Sequence, residues 1–187
     1  MHTKYSLLVF VVFLVTCESS ATSETQCIDY YKSGSSFDLS AFHDHWYAVY
    51  FWPPNGRRRE SCAVIAFKNL SRDEVEAMRN SCVSANLSPD DNVLRASYVN
   101  SVGKLTNVTY YGKEEVKSLY RSCDRISKYI FLRVNDKYVL GINCSAGGRG
   151  MLLTQSLVTA SEVQNVVDSI EIMTGREGSP DCPLKSY

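Results

Sequence analysis

Phe42-His-Asp-His-Trp-Tyr-Ala-Val-Tyr50 runs on through Phe51 and Trp52 and stops at Pro53-Pro54-Asn55-Gly56. Residues 45–52 are dense in aromatic and β-branched side chains, which suit a pleated, half-buried surface, and the Pro/Gly cluster ends the run as a turn. The stretch is therefore a strand. Outward from it, 61–67 is a short apolar run, 74–83 shows partial period-2 alternation, and 93–99 and 105–111 alternate more fully. Residues 128–134 and 137–143 flank Asn135-Asp136 as a hairpin, and 151–156 follows the loop Gly147-Gly148-Arg149-Gly150 as a last strand. Residues 113–125 fit no element.

One helix follows the strands. Thr159-Ala-Ser-Glu162 has the form of a capping box, in which hydroxyl and carboxylate satisfy N–H groups at the helix start. Val163, Val166, Val167, Ile170 and Met173 then share one face, and Gly175 is a natural stop. Such a stripe packs on a sheet. The pattern predicts a mainly β fold: an eight-stranded antiparallel up-and-down barrel with one C-terminal α-helix packed on it. Closure removes exposed sheet edges, and eight strands leave room inside for one small ligand. A β-sandwich is the other architecture the pattern allows.

The start of the chain reads as an export signal. Lys4 precedes an apolar run over residues 6–15, and small residues follow. A run of about 10 residues is too short to span the ~30 Å of hydrocarbon. Residues 1–17 are thus expected to be a signal peptide, cleaved within 17–21, leaving one domain over 18–187 and an extracellular protein. No later stretch suggests a membrane span. The chain carries 20 basic and 20 acidic side chains, so no overall field gathers phosphates and nucleic acid is excluded as a partner.

Seven cysteines become six if Cys17 leaves with the signal: Cys27, Cys62, Cys82, Cys123, Cys144 and Cys182. An even set in an exported chain implies three disulfides, and spacing alone does not choose the pairing. No C-x-x-C pair exists for zinc, and the mature histidines, His43 and His45, are too few for a closed metal site. Four sequons begin at Asn69, Asn86, Asn107 and Asn143. Pro89 weakens the second and Cys144 hinders the fourth, so Asn69 and Asn107 are the expected glycosylation sites. No G-x-S-x-G, H-E-x-x-H or Walker-type loop is present, every mature cysteine has a plausible partner, and no catalytic residue is assigned.

Trp46-Tyr47, following an extended N-terminal segment, resembles the Gly-x-Trp signature on the first strand of the lipocalin family, although Asp44 stands at the glycine. Residues 131–144 resemble loosely the family's second signature, with Asn135-Asp136 and Tyr138 at the turn. The arginine of the last strand is replaced by Gln155 or Ser156. The chain resembles an outlying member of the arthropod secreted type, bilin-binding or salivary. That resemblance implies disulfides Cys27–Cys144 and Cys62–Cys182, leaving Cys82 with Cys123, and places Trp46 at the barrel base.

The implied function is a carrier that sequesters a small hydrophobic or amphipathic ligand in the cavity. A bilin-like pigment leads, followed by a fatty acid or retinoid-like molecule, and no cofactor is required. The alternative is a secreted protein-binding scaffold whose barrel is filled by side chains. If Trp46 points inward, strict alternation turns Ala48, Tyr50 and Trp52 inward too. Tyr110, Phe131, Tyr138 and Leu140 are further pocket candidates. Arg57, Arg58 and Arg59 fall in the first inter-strand loop, where they would form a basic rim for an anionic head group.

Overall fold

The structure, a computed structural model, describes residues 27, 29–30, 35–56, 59–88, 91–100, 102–113 and 115–185. The expected signal segment, Arg57 and Arg58 lie outside the described residues. In order come β1 (Ser35–Ser36), β2 (His45–Trp52), β3 (Ala63–Asn69), α1 (Arg72–Ser81), β4 (Leu94–Val99), β5 (Leu105–Tyr111), β6 (Lys117–Ser122), β7 (Arg125–Arg133), β8 (Tyr138–Asn143), β9 (Arg149–Thr154) and α2 (Ala160–Asp168). Each strand from β2 to β9 pairs antiparallel with the next, and β2 pairs with β9. The result is a closed eight-stranded up-and-down barrel with a C-terminal helix, which removes the sandwich alternative. Short β1 pairs with Leu132 and Arg133 of β7.

One of the eight expected strands is a helix, and another was missed. Residues 74–83 belong mostly to α1, whose start is a full capping box. Ser71 Oγ accepts from Glu74 N at 3.3 Å, and Ser71 N donates to Glu74 Oε2 at 3.0 Å. Val75, Met78 and Cys82 pack inward at helical spacing, a pattern the partial alternation masked. The missing strand is β6, inside the segment 113–125. Only Leu119 of its six residues is buried, so its apolar signal is weak.

At the C-terminal helix, Thr159 Oγ1 accepts from Glu162 N at 3.1 Å as expected of the cap. The Glu162 carboxylate lies instead 3.5 Å from Lys137 Nζ. Val163, Ile170 and Met173 are buried, with Val166 and Val167 partly buried against the same cluster. The α-helical part ends at Asp168, before Gly175, and a 3-10 turn at Glu171–Met173 continues the apolar face.

The core is layered. Inside the barrel, Phe37, Phe42, Trp46, Phe67 and Phe131 form an aromatic floor. Phe42 is its hub: it stacks on Phe67 at 4.3 Å and meets Phe37, Trp46 and Phe131 edge-on at 4.7–5.1 Å. Gln155 and Ser156 are exposed, and the cation at this end comes from β7: the Arg133 guanidinium lies 5.3 Å from the Phe37 ring centre. Outside the barrel, α2 and the C-terminal tail cover one flank, while α1 covers another through Tyr111, Tyr120 and Ile126. Disulfides Cys27–Cys144, Cys62–Cys182 and Cys82–Cys123 tie the N-terminal segment, the tail and α1 to the barrel.

Asp44 explains its own departure from the glycine of the signature. Its φ is 57°, the left-handed region, and its carbonyl accepts from Phe67 N at 3.0 Å. Aspartate tolerates that region better than most residues but still pays for its Cβ. Asp44→Gly should therefore raise stability, on the order of 0.5 kcal/mol, as a higher urea midpoint.

The cap of α1 is pH-sensitive. The Ser71 backbone N–H, then Lys68, holds the Glu74 carboxyl down at about 2. A carboxyl lowered on folding stabilises above its unfolded value and loses that contribution as pH falls toward the folded one. Backbone amides of residues 72–81 should exchange hydrogen faster relative to barrel amides as pH drops from about 4.5 to 2, after correction for intrinsic rates. The same acid response in Glu74→Gln would dismiss this cause.

Candidate functional site

Above the aromatic floor the barrel holds a cavity of about 450 Å3. Its upper end lies among Pro53, Asn55, Gly56 and Asn100, so it opens between the β2–β3 and β4–β5 connections. Its volume follows from small inward residues: Ala48, Ala63 and Ala96, with Ile65 and Val108, form an apolar wall on β2–β5. Larger side chains there would have closed the interior.

A bulge in β2 fixes which neighbours join them. Ala48 pairs with Leu153 but Tyr50 with Leu152, so Val49 is an extra residue with no partner on β9. Inside–outside alternation inverts at that point. Trp46 and Ala48 face in, as expected. Tyr50 and Trp52 pack in the outer layer, and Phe51 turns toward the cavity. The Tyr50 and Trp52 rings lie 4.6 Å apart, tilted by 51°, against the tail, where a side chain at Gly178 would collide with both. Trp52 touches the cavity only at its rim.

The other expected lining residues divide as follows. Tyr110 lines the cavity, whereas Phe131 belongs to the floor beneath it. Tyr138 and Leu140 face outward toward the helix layer, because the inward phase of β8 falls on Val139, Gly141 and Asn143. Burial, followed by the nearby Glu162 charge, pushes the Tyr138 phenol up to about 12. Arg59 is at the mouth but occupied. Its Nε lies 2.8 Å from Oδ2 of buried Asp181 and its Nη1 donates to the Val99 carbonyl at 2.8 Å. The Asp181 contact is ionic and poorly angled for a hydrogen bond. Together with Cys62–Cys182 it clamps the mouth loop to the tail.

Sequence reasoning missed the polar side of the cavity. Tyr129, Asn143, Arg121 and Arg149 line it, from β7, β8, β6 and β9. Tyr129 and Asn143 are cross-strand partners, as are Asn143 and Arg149. Asn143 Oδ1 is buried without a hydrogen-bond partner among the described residues. Tyr110 and Tyr129 have ring centres 5.0 Å apart and meet edge to face. Burial raises both phenols well above their ordinary value, so both stay neutral and act as hydrogen-bonding groups. The Tyr129 ring lies over Gly141, where a Cβ would stand 2.6 Å from its hydroxyl and 3.2 Å from Phe131. Alternation counted back from the hairpin turn would have found Asn143, but Arg121 sits beside a register irregularity in β6.

Asn69, Asn86 and Asn107 are exposed, while Asn143 turns inward. Among the described residues there is no group of His, Cys, Asp or Glu that could hold a metal ion. No helix among them is long and apolar enough to cross a membrane.

No family model matches the sequence, and no curated protein matches it. Among solved structures, lobster apocrustacyanin A1 is similar, with a TM-score of 0.47 and 12% identity, over 89% of this chain and 88% of that one. Likeness at that level carries nothing about ligand or activity.

Because Gly141 leaves space for Tyr129, a side chain there should displace that ring upward. Gly141→Val should destabilise the fold by about 1–3 kcal/mol in urea unfolding and shrink the cavity. An unchanged midpoint would show that Tyr129 relaxes freely.

Proposed function

We propose that the protein is a secreted carrier that binds and sequesters a small hydrophobic or amphipathic molecule inside the barrel. The observation that carries this is the cavity: about 450 Å3, apolar along one wall, with an end at the surface. Preformed concave sites of roughly 300–1,000 Å3, mostly apolar with a few placed polar groups, are the usual form of small-molecule sites. Moving ~300 Å2 of apolar ligand surface out of water contributes ~7 kcal/mol before association costs.

Secretion rests on the apolar start of the chain and the three disulfides. Glycosylation at Asn69 and Asn107 fits their exposure, and the inward turn of Asn143 argues against its use. A carrier suits the site better than an enzyme: His43 and His45 are exposed at the floor end, away from the cavity lining. A bilin-like pigment, fatty acid or retinoid-like molecule each remains in keeping with the apolar wall. The scaffold alternative needs a filled barrel, and the cavity weighs against it.

Titration with N-phenyl-1-naphthylamine, an uncharged dye that brightens in apolar surroundings, tests the reading. One molecule should bind per chain, with a one-to-one complex in native mass spectrometry. Absence of binding, or only loose binding of several molecules, would refute a carrier.

A further inference from the structure

The cavity is polar along its side, not only at its mouth, and this bears on what it holds. Arg149, Asn143 and Tyr129 occupy adjacent positions across β9, β8 and β7, and Arg121 approaches the Tyr110–Tyr129 pair closely enough for its charge to act on both phenols. The opposite wall is Ala48, Ala63, Ile65, Ala96 and Val108. Resting on the carrier reading, we propose that the ligand is an organic anion bound side-on, its acidic group held on the Arg121–Tyr129–Asn143–Arg149 stripe and its apolar face laid against the alanine wall.

Three observations lead there. The first is charge. Arg121 and Arg149 line the cavity, and its lining carboxylate, Asp181, is already engaged with Arg59 at 2.8 Å. Among the residues lining the cavity the stripe thus offers positive charge with no second carboxylate, and Glu177 meets Arg149 only in the groove outside it. The second is the balance of donors and acceptors. Two guanidiniums and the phenols supply donors, which match the oxygens of a carboxylate or sulfonate. Asn143 Oδ1, buried and unpartnered, adds one acceptor for a ligand N–H or O–H next to the acid. The third is depth. Arg121 and Arg149 are exposed at the rim, while Tyr129 is held over Gly141 near the floor, so one donor lies well below the guanidiniums, whereas a head group at the mouth would need none there.

The proposed stripe is separate from the arginine triplet, of which Arg57 and Arg58 lie outside the described residues. Arg59 is committed to the tail, and nothing in the stripe depends on residues 57–58.

The test uses a matched pair of dyes with the same ring body: anionic 1-anilinonaphthalene-8-sulfonate and neutral N-phenyl-1-naphthylamine. In the double variant Arg121→Gln/Arg149→Gln, the Kd of the anionic dye should rise about fivefold, because each partly exposed charge-assisted contact is modest. Tyr129→Phe should raise it about threefold, the worth of one hydrogen bond. The neutral dye should stay within about twofold throughout, which also shows that the variants fold. Added salt should weaken the anionic dye alone in the wild type. Loss of anion affinity in the arginine variant but not in Tyr129→Phe would overturn side-on binding in favour of a rim site. Equal changes for both dyes, or none for the anion, would overturn the anion site while the neutral dye's binding leaves the carrier standing. Failure of the neutral dye to bind the wild type would remove the carrier reading and the stripe with it.

Discussion

Closure of β2 on β9 around the single unpaired residue Val49 is the constraint on which the rest of the molecule depends. A barrel needs its first and last strands to meet, and the extra residue lets one strand serve two cores. Below the bulge, Trp46 and Ala48 face the interior and join the aromatic floor. Above it, Tyr50 and Trp52 face outward and give the tail a surface to pack on. Without the inversion, two large rings would enter the space above Ala48, and the tail would lose its anchor.

That anchor sets the mouth. The Phe51–Ser179 bridge, Cys62–Cys182 and the Arg59–Asp181 ion pair join the end of β2 and the connection after it to the tail. A buried carboxylate with one ionic partner is costly to separate from it, so the pair favours a single loop position. The described part of the mouth is thus tied to the tail at three points.

The interior divides by side-chain size and polarity. β2–β5 line the cavity with small or branched apolar residues, while β6–β9 add Arg121, Tyr129, Asn143 and Arg149 to its edge, the two arginines exposed and Tyr129 buried. Gly141 makes the second set possible, because a Cβ there would collide with Tyr129 and Phe131. One backbone position without a side chain thus positions the deepest hydroxyl of the cavity.

The sequence by itself determined a mainly β fold of short antiparallel strands with one C-terminal helix, and closure into a barrel rather than a sandwich was left to the strand pairing. Alternation along β4 and β5, the turn at Asn135-Asp136 and the capped stripe from Thr159 are local signals, each carried by neighbours in the chain. Trp46 as a floor residue came from the resemblance of Trp46-Tyr47 to a family signature, and the structure places it there. A second capping box at Ser71-Arg-Asp-Glu74 was equally legible, although the apolar content of 74–83 suggested a strand. Only the tertiary structure decided which faces look inward. One extra residue shifts every later side chain to the opposite face, and nothing in the composition of β2 marks Val49 as that residue. The polar stripe is likewise invisible along the chain. Arg121, Tyr129, Asn143 and Arg149 are spread over four strands and meet only because the barrel's register aligns them, and Arg59 is paired with Asp181, far away in sequence.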